Sequence, residues 1–233
     1  MAETPRAWRT VLDHLERELG EGRLGPGDRL PGERDLAARL GVGRSSVREA
    51  VRVLDVMGVV RTATGSGPSS GAIIVARPGA GMSTMLRLQT AAQAFGVDDV
   101  VATRVAIETA VVGTLASSSD EVRSLESSRE LLARMEDNLL TPAEFLALDA
   151  RFHLTLAEAT GNQVMLAVMG GLRTAIEAYV QQGITRIDDW SATVARLRAE
   201  HAALLDAVTA GHADLARTCV RDHIHGYFAQ LRP

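Results

Sequence analysis

The chain has 233 residues, of which 46% are hydrophobic and 23% charged, and its net charge is −4. This length predicts two domains, and the apolar content is sufficient for ordinary globular cores. A single cysteine, Cys219, excludes an internal disulfide and fits a reducing cytoplasm. Residues 1–9 lack a signal sequence and no apolar run approaches the roughly 20 residues of a membrane span. We therefore expect a cytoplasmic protein with no membrane partner.

Charge is distributed unevenly along the chain. Residues 1–77 contain 12 arginines against 10 acidic residues, whereas residues 78–233 contain 13 arginines against 19 acidic residues. The first third is therefore net positive and the remainder net negative. A basic first domain is the distribution expected of a protein that binds nucleic acid through that domain.

Three helices are predicted first, over residues 6–20 and then as two short helices within residues 30–60. Apolar residues recur at helical spacing in each, and Gly41-Val42-Gly43 forms a tight turn between the short pair. Pro31 is expected near the start of the first short helix and Gly41 just past its end. The second begins near Arg44, which predicts a helix-turn-helix whose N-terminal side chains read the major groove: Arg44, Ser45, Ser46 and Arg48.

The alternative to a recognition helix is a solvated, arginine-rich helix surface. The segment that follows favours the DNA interpretation, because two apolar stretches, 59–61 and 72–75, flank the flexible loop 62–71. Two strands around such a loop form a wing. We therefore predict a winged helix-turn-helix with a small β-wing.

Several motifs lie between residues 24 and 75: Gly25-Pro26-Gly27-Asp28-Arg29-Leu30-Pro31, Glu33-Arg34-Asp35-Leu36-Ala37, Gly41-Val42, Arg44, Val47-Arg48-Glu49-Ala50 and Leu54. Together they resemble the winged helix of GntR-type bacterial transcription regulators. The resemblance implies operator contacts by Arg34, Arg44 and Arg48, and minor-groove contacts by the wing-tip residues Thr64 and Gly65. Two features depart from the family pattern. Gly43 stands where serine or threonine is usual, and the wing loop is longer.

Residues 76–81 are rich in helix breakers and mark the predicted domain boundary. We assign residues 1–76 to the DNA-binding domain, 77–82 to a linker and 83–233 to a second domain. The second domain is almost wholly helical in pattern, which predicts an antiparallel helical bundle and a mainly α protein. Its helices are expected at about 83–95, 97–117, 119–137, 142–160, 162–183, 189–210 and 212–230.

Asp149 and His153 are the clearest candidate ligands of the second domain. They are four residues apart, so both side chains leave one face of a helix and could reach one ion, although a simple hydrogen-bonded pair is the alternative. His201 and His223 lie on the last two predicted helices and would come level if those helices are antiparallel. One carboxylate and three imidazoles suit a divalent ion; zinc is favoured, with nickel, manganese or iron(II) possible.

These positions resemble the FCD domains of FadR-like GntR regulators, which carry an Asp-x3-His and two later histidines. The resemblance implies a metal site at Asp149, His153, His201 and His223. It also implies ligand-binding roles for Arg104 and Glu108, which match an Arg-x3-Glu, and for Asn162. Arg104 could anchor a carboxylate, or could pair with Glu108 along its helix.

The sequence therefore predicts a regulator and not an enzyme. We expect a homodimeric repressor that binds a near-palindromic operator in double-stranded DNA and is released by a small carboxylate effector at the metal site. One alternative is a metal-dependent enzyme acting on small carboxylic acids, but no general base stands beside the ligands. The other is a metal-free regulator that senses an acyl ligand.

Overall fold

The computed structural model describes residues 7–63, 71–76, 78–118 and 124–231. The chain divides into two compact units between Met82 and Ser83. The fold is mainly helical with one small antiparallel sheet, which confirms the expected class. None of the described helices combines the length and apolar character that spanning a bilayer requires.

The first unit contains three helices followed by a hairpin. Its apolar core forms where Leu36 on the second helix and Val47 and Ala50 on the third helix are buried against the first helix. Gly41 ends the second helix with φ of 65°, a conformation that glycine adopts without strain. Pro31 precedes the N-cap Gly32 and thus lies outside the helix. The elements are α1 Ala7–Gly20, α2 Glu33–Leu40, α3 Arg44–Val56, β1 Val60–Ala63 and β2 Gly71–Ile74.

The hairpin confirms the two predicted strands. β1 and β2 pair antiparallel with Val60 opposite Ile74 and Ala63 opposite Gly71. Val60, Ala72 and Ile74 are buried in a small cluster at the base of the wing. The predicted wing-tip contacts, Thr64 and Gly65, lie outside the described residues.

The segment predicted as a linker is instead largely helical. Helix α4 spans Pro78–Ala91, so it begins five residues before the expected start and includes all of 77–82 except residue 77. Proline fits the first turn of a helix, where its missing N–H costs little. A Cβ atom on Gly81 would collide with the carbonyl of Met57, so this glycine permits close packing of α4.

The second unit is a bundle of helices around one large apolar core. Its longest helices lie close to the predicted ranges, because glycine, proline or asparagine residues in the sequence mark where these helices begin and end. Helix α6 begins at Glu126, later than the expected residue 119, and residues 119–123 lie outside the described chain. The remaining elements are α5 Val97–Ala116, α6 Glu126–Met135, α7 Pro142–Ala159, α8 Gln163–Gly183, a 3-10 turn Ile184–Arg186, α9 Trp190–Thr209 and α10 Ala213–Leu231.

Four of these helices position the candidate metal site. Helix α7 begins with a capping box, in which the Thr141 hydroxyl accepts a hydrogen bond from the Glu144 amide and the Glu144 carboxylate accepts one from the Thr141 amide. Helix α10 packs against α5, α8 and α9, and α5 also packs against α7 and α9. Residues pointing inward from α5, α7, α9 and α10 therefore meet inside the bundle.

Candidate metal centre and DNA-reading surface

The four predicted ligands converge at one point inside the second unit. Asp149 and His153 come from α7, His201 from α9 and His223 from α10. One ligand atom of each lies within 4.8 Å of those of the other three. The three histidines are buried, and the Asp149 side chain is 18% exposed. The cluster is therefore an enclosed O/N donor set with one side accessible.

The separations inside the cluster match those of donors around one ion. Nε2 of His153 and Nε2 of His223 are 3.2 Å apart, and Nε2 of His201 lies 3.0 Å from Oδ1 of Asp149. Two nitrogens bound at about 2.1 Å to a tetrahedral or octahedral ion lie about 3.0–3.4 Å apart. Although it is close to Asp149, neither ring nitrogen of buried His201 forms an aligned hydrogen bond within the described chain. The residues present therefore fit a bound metal.

Two further carboxylates determine how the histidine rings face the centre. Nδ1 of His153 lies 2.7 Å from Glu108, and Nδ1 of His223 lies 2.9 Å from Glu200. We assign the ring hydrogens to these nitrogens because a carboxylate lies beside each, although the His153–Glu108 contact, like that of His201 with Asp149, is not an aligned hydrogen bond. With that assignment, both Nε2 atoms face each other with lone pairs at 3.2 Å, and a metal ion or a proton between them would relieve their repulsion. Carboxylates behind ligand histidines are a usual feature of metal sites.

The charge states of these groups suit ligation at neutral pH. Burial lowers the pKa of His223 to about 4, with the neighbouring histidines contributing and Glu200 opposing. Burial raises the pKa of Asp149, but the nearby histidines outweigh it and hold the pKa well below its usual range. Glu108 behaves similarly: burial raises its pKa, yet Arg104 and His153 lower it to about 2. At neutral pH the cluster thus offers a carboxylate and a neutral His223, as metal binding requires.

A cavity of about 510 Å³ adjoins the cluster, and Asp149 and His223 form part of its wall. Arg104 also lines this cavity, but its guanidinium pairs with Glu108 at 2.9 Å. Two other polar side chains on the wall, Arg173 and Tyr227, were not predicted from the sequence. A small ligand in this cavity could therefore reach both the donor set and charged groups.

Asn162 is not among the residues that line this cavity, and its predicted ligand-binding role stays a prediction. Its side chain is exposed at the N-terminus of α8, where Oδ1 accepts hydrogen bonds from the amides of Val164 and Met165. Asparagine is favoured at an N-cap because it satisfies amides that the helix leaves unpaired. The residue shapes the turn between α7 and α8.

The predicted DNA-reading residues form an exposed surface on the first unit. Arg44, Ser45 and Arg48 are exposed on the first turns of α3, and Ser46 is half-buried. Arg34 on α2 has an 86% exposed side chain and lies 3.7 Å from Asp35. Gly43 is the N-cap of α3 and supplies no side-chain hydrogen bond. The surface therefore keeps three arginines accessible, without the hydroxyl common at the cap.

The sequence did not indicate two residues that lie beside the candidate surfaces, Arg52 on α3 and Glu200 on α9. Arg52 is exposed one turn after Arg48 on α3, a spacing that could have revealed it. Glu200 lies beside His201 in sequence but contacts His223 on another helix. Only the tertiary packing of α9 against α10 produces that contact.

Comparisons with known proteins agree with this arrangement. Residues 8–68 match the model for bacterial regulatory proteins of the gntR family, and residues 99–226 match the FCD domain. The Glc operon transcriptional activator of Escherichia coli K12 is 27% identical over 219 residues, covering 92% of this chain and 84% of that protein. The transcriptional repressor NanR of Cronobacter sakazakii is 27% identical over 228 residues, covering 94% and 83%.

A solved structure, the GntR protein of Streptococcus agalactiae, has the same fold. It superposes with a TM-score of 0.63 at 24% identity, and the match covers 94% of this chain and 97% of that one. The FCD match alone covers more than half of the chain, and it lies in the unit that contains the histidine cluster. The family and these relatives are transcription regulators and not enzymes. The chain therefore belongs to the GntR family of bacterial regulatory proteins, with an FCD domain as its second unit.

Proposed function

We propose that this regulator is a FadR-like homodimer that represses transcription from a near-palindromic operator until a small organic acid binds beside a metal ion in its second unit. Family membership supports regulation of transcription, and the relatives include an activator and a repressor. We propose that the protein represses transcription, and a reporter gene fused to the operator distinguishes repression from activation. A regulator of chromosomal operators acts in the cytoplasm.

On the DNA side, the proposal rests on the exposed arginines of α2 and α3. Arg44 and Arg48 have no ion-pair partner among the described residues, so both are available to guanine edges or phosphates. A homodimer presents two such helices related by twofold symmetry, which a near-palindromic operator mirrors. Arg34 and the half-buried Ser46 would contact the backbone or flanking bases, with Thr64 and Gly65 of the wing in the minor groove.

The base-reading role is tested with Arg48→Ala. We expect the variant to lose about 1–3 kcal/mol of operator binding and to relax base preference. Fluorescence anisotropy on an operator selected from a random DNA pool measures the loss, and single-base operator variants measure the preference. Arg129→Ala, an exposed arginine on α6, is the matched control. Unchanged sequence discrimination in Arg48→Ala would refute the assignment.

On the effector side, the proposal rests on the 3.2 Å separation of Nε2 in His153 and Nε2 in His223. We propose zinc as the bound ion, with Asp149 and His201 completing the ligand set. A six-coordinate ion held by four side chains keeps two positions for water or for a ligand carboxylate. When bound, the ion would act as a Lewis acid that attracts such a carboxylate.

The metal site is tested by elemental analysis of full-length protein purified without a histidine tag. We expect about one divalent ion per chain, and a loss of most of it in His153→Ala. His212→Ala removes an exposed histidine and serves as the control. Full metal occupancy in His153→Ala would contradict the site. Metal-free wild-type protein with intact operator binding would favour the rival metal-free, acyl-sensing regulator.

A further inference from the structure

The cavity beside the histidine cluster contains two arginines with different surroundings. Nε and Nη2 of Arg104 both lie 2.9 Å from Oε1 of Glu108, so this guanidinium is locally neutralised. Arg173 on α8 makes one hydrogen bond, from Nη2 to the carbonyl of Leu146 at 3.3 Å. No carboxylate of the described chain forms an ion pair with Arg173. Most of its donors are therefore available to a ligand.

The guanidinium of Arg173 is also less exposed to water than is usual for a charged side chain. Burial lowers its pKa, and the negative charge of Asp149 opposes that effect and keeps the guanidinium charged. Glu177 lies one turn further along α8 and also lines the cavity, but its side chain is exposed. A charged group in such a setting gains more from a bound anion than an exposed arginine does.

Tyr227 on α10 presents a second unsatisfied group to the same cavity. Its residue is 8% exposed, and its hydroxyl has no hydrogen-bond partner within the described chain. Buried hydroxyls without a partner are uncommon because desolvation is uncompensated. Burial raises the pKa of Tyr227 above its usual range, with Asp149 adding to the shift, so the hydroxyl keeps its proton and can donate it. Arg173 and Tyr227 are thus two residues of the cavity lining whose donors are not fully used within the described chain.

The charges around the cavity indicate how much negative charge a ligand should carry. Among the less exposed groups, Arg104 and Glu108 cancel, and Asp149 and Arg173 cancel. Arg151 on the wall pairs with Glu158, and the carboxylate of Glu177 is exposed and therefore screened by water. With a divalent ion bound, a charge of +2 remains to be balanced. A ligand with one carboxylate balances only one of these two positive charges, whereas a ligand with two carboxylates neutralises the site.

We propose that the effector is a short aliphatic dicarboxylate, one carboxylate of which binds the metal while the other accepts hydrogen bonds from Arg173 and Tyr227. This inference rests on the proposed metal site and specifies the class of acid that binds there. The cavity of about 510 Å³ has room for such a chain, and Leu146, Leu154 and Val180 provide apolar wall against its methylene groups. Arg173 and Tyr227 are therefore the residues that select two acidic groups over one.

The test compares dicarboxylates with monocarboxylates of equal chain length. Isothermal titration calorimetry on zinc-loaded, full-length protein uses succinate, glutarate and adipate against butyrate, valerate and hexanoate. We expect at least one diacid to bind about 10- to 100-fold more tightly than its monoacid. Arg173→Gln should weaken diacid binding far more than monoacid binding and so abolish that preference, and Tyr227→Phe should reduce the preference several-fold.

Glu177→Gln is the control, because this residue lines the same cavity without a proposed ligand contact. Zinc content and thermal unfolding of each variant establish that metal site and fold are retained. Equal binding of every diacid and its monoacid would overturn the dicarboxylate proposal while leaving a carboxylate-sensing regulator intact. A loss of monoacid and diacid binding together in Arg173→Gln would overturn the selective role. Zinc-loaded protein that binds none of these acids would overturn the inference and the carboxylate effector of the proposed function as well.

Discussion

At the scale of single residues, the metal cluster depends on which ring nitrogen each histidine turns inward. Glu108 and Glu200 face Nδ1 of His153 and His223, which leaves Nε2 of both rings for the centre. Glu200 is itself held by Arg196, whose Nη1 lies 2.6 Å from its carboxylate. The carboxylates would therefore be positioning residues, because they would act on a bound metal only through the imidazoles.

Replacing Glu200 should weaken metal binding without removing a ligand. In Glu200→Ala, Nδ1 of His223 loses its acceptor, so the ring is free to rotate and becomes less basic. We expect zinc affinity to fall about 10- to 100-fold. Competition with a chromophoric chelator measures the affinity, and Glu130→Ala, an exposed glutamate on α6, is the control. Equal affinity in both variants would show that His223 needs no support from Glu200.

Gly43 is the residue at which the DNA-binding unit departs from its family pattern. Its φ of −70° and ψ of 147° are accessible to any residue. A Cβ atom there would approach nothing closer than Oγ of Ser45, at 3.5 Å. The position therefore tolerates a side chain, and glycine is not required by geometry.

Gly43→Ser should stabilise the start of α3 and strengthen operator binding. The new hydroxyl can accept a hydrogen bond from the amide of Ser46, a cap that exceeds glycine by a few tenths of a kcal/mol. It can also donate to a phosphate, and we expect operator affinity to rise several-fold. Thermal unfolding and anisotropy measure the two effects. Gly43→Ala, which adds the Cβ atom without the hydroxyl, is the control; an equal gain in that variant would assign the effect to the backbone.

At the scale of elements, local signals explain why most helices could be predicted. Helix α7 begins at a Thr-Pro-x-Glu signature that forms a capping box, and the turns after α7 and α9 contain Gly161 and Gly211, with φ of 70° and 75°. The start of α4 could not be predicted from a local signal of this kind. Pro78, Gly79 and Gly81 resemble a linker in sequence, yet all three lie in α4, where Gly81 allows the helix to approach Met57.

The candidate site was predictable only to the extent that its spacing is local. Asp149 and His153 share a helical face, so their proximity follows from α7 alone. His201 and His223 were paired with them through family resemblance. Arg173 carries no sequence signal as a proposed ligand-binding residue, because its significance lies in having no carboxylate partner among the described residues once α8 packs beside α7. Asn162 matched the family pattern yet serves as a helix cap, since a short motif does not specify which way a side chain points.

At the scale of the whole molecule, the proposed DNA reading and the proposed ligand sensing belong to different units. The first unit carries the exposed arginines, and the second carries the enclosed donor set and the cavity. Under the proposed function, acid binding and operator binding are two equilibria of one molecule. Allosteric coupling between such equilibria is typically about 1–3 kcal/mol.

Linkage requires this coupling to be the same in both directions. If glutarate lowers the operator affinity of the zinc-loaded protein by a factor between about 5 and 150, the operator must lower glutarate affinity by that same factor. Anisotropy at saturating glutarate gives the first factor, and calorimetry with the protein saturated by operator gives the second. His153→Ala keeps α3 intact but should show neither effect. Glutarate that binds the metal-loaded protein while leaving operator affinity unchanged would refute the switch, because a ligand with equal affinity for two states shifts neither.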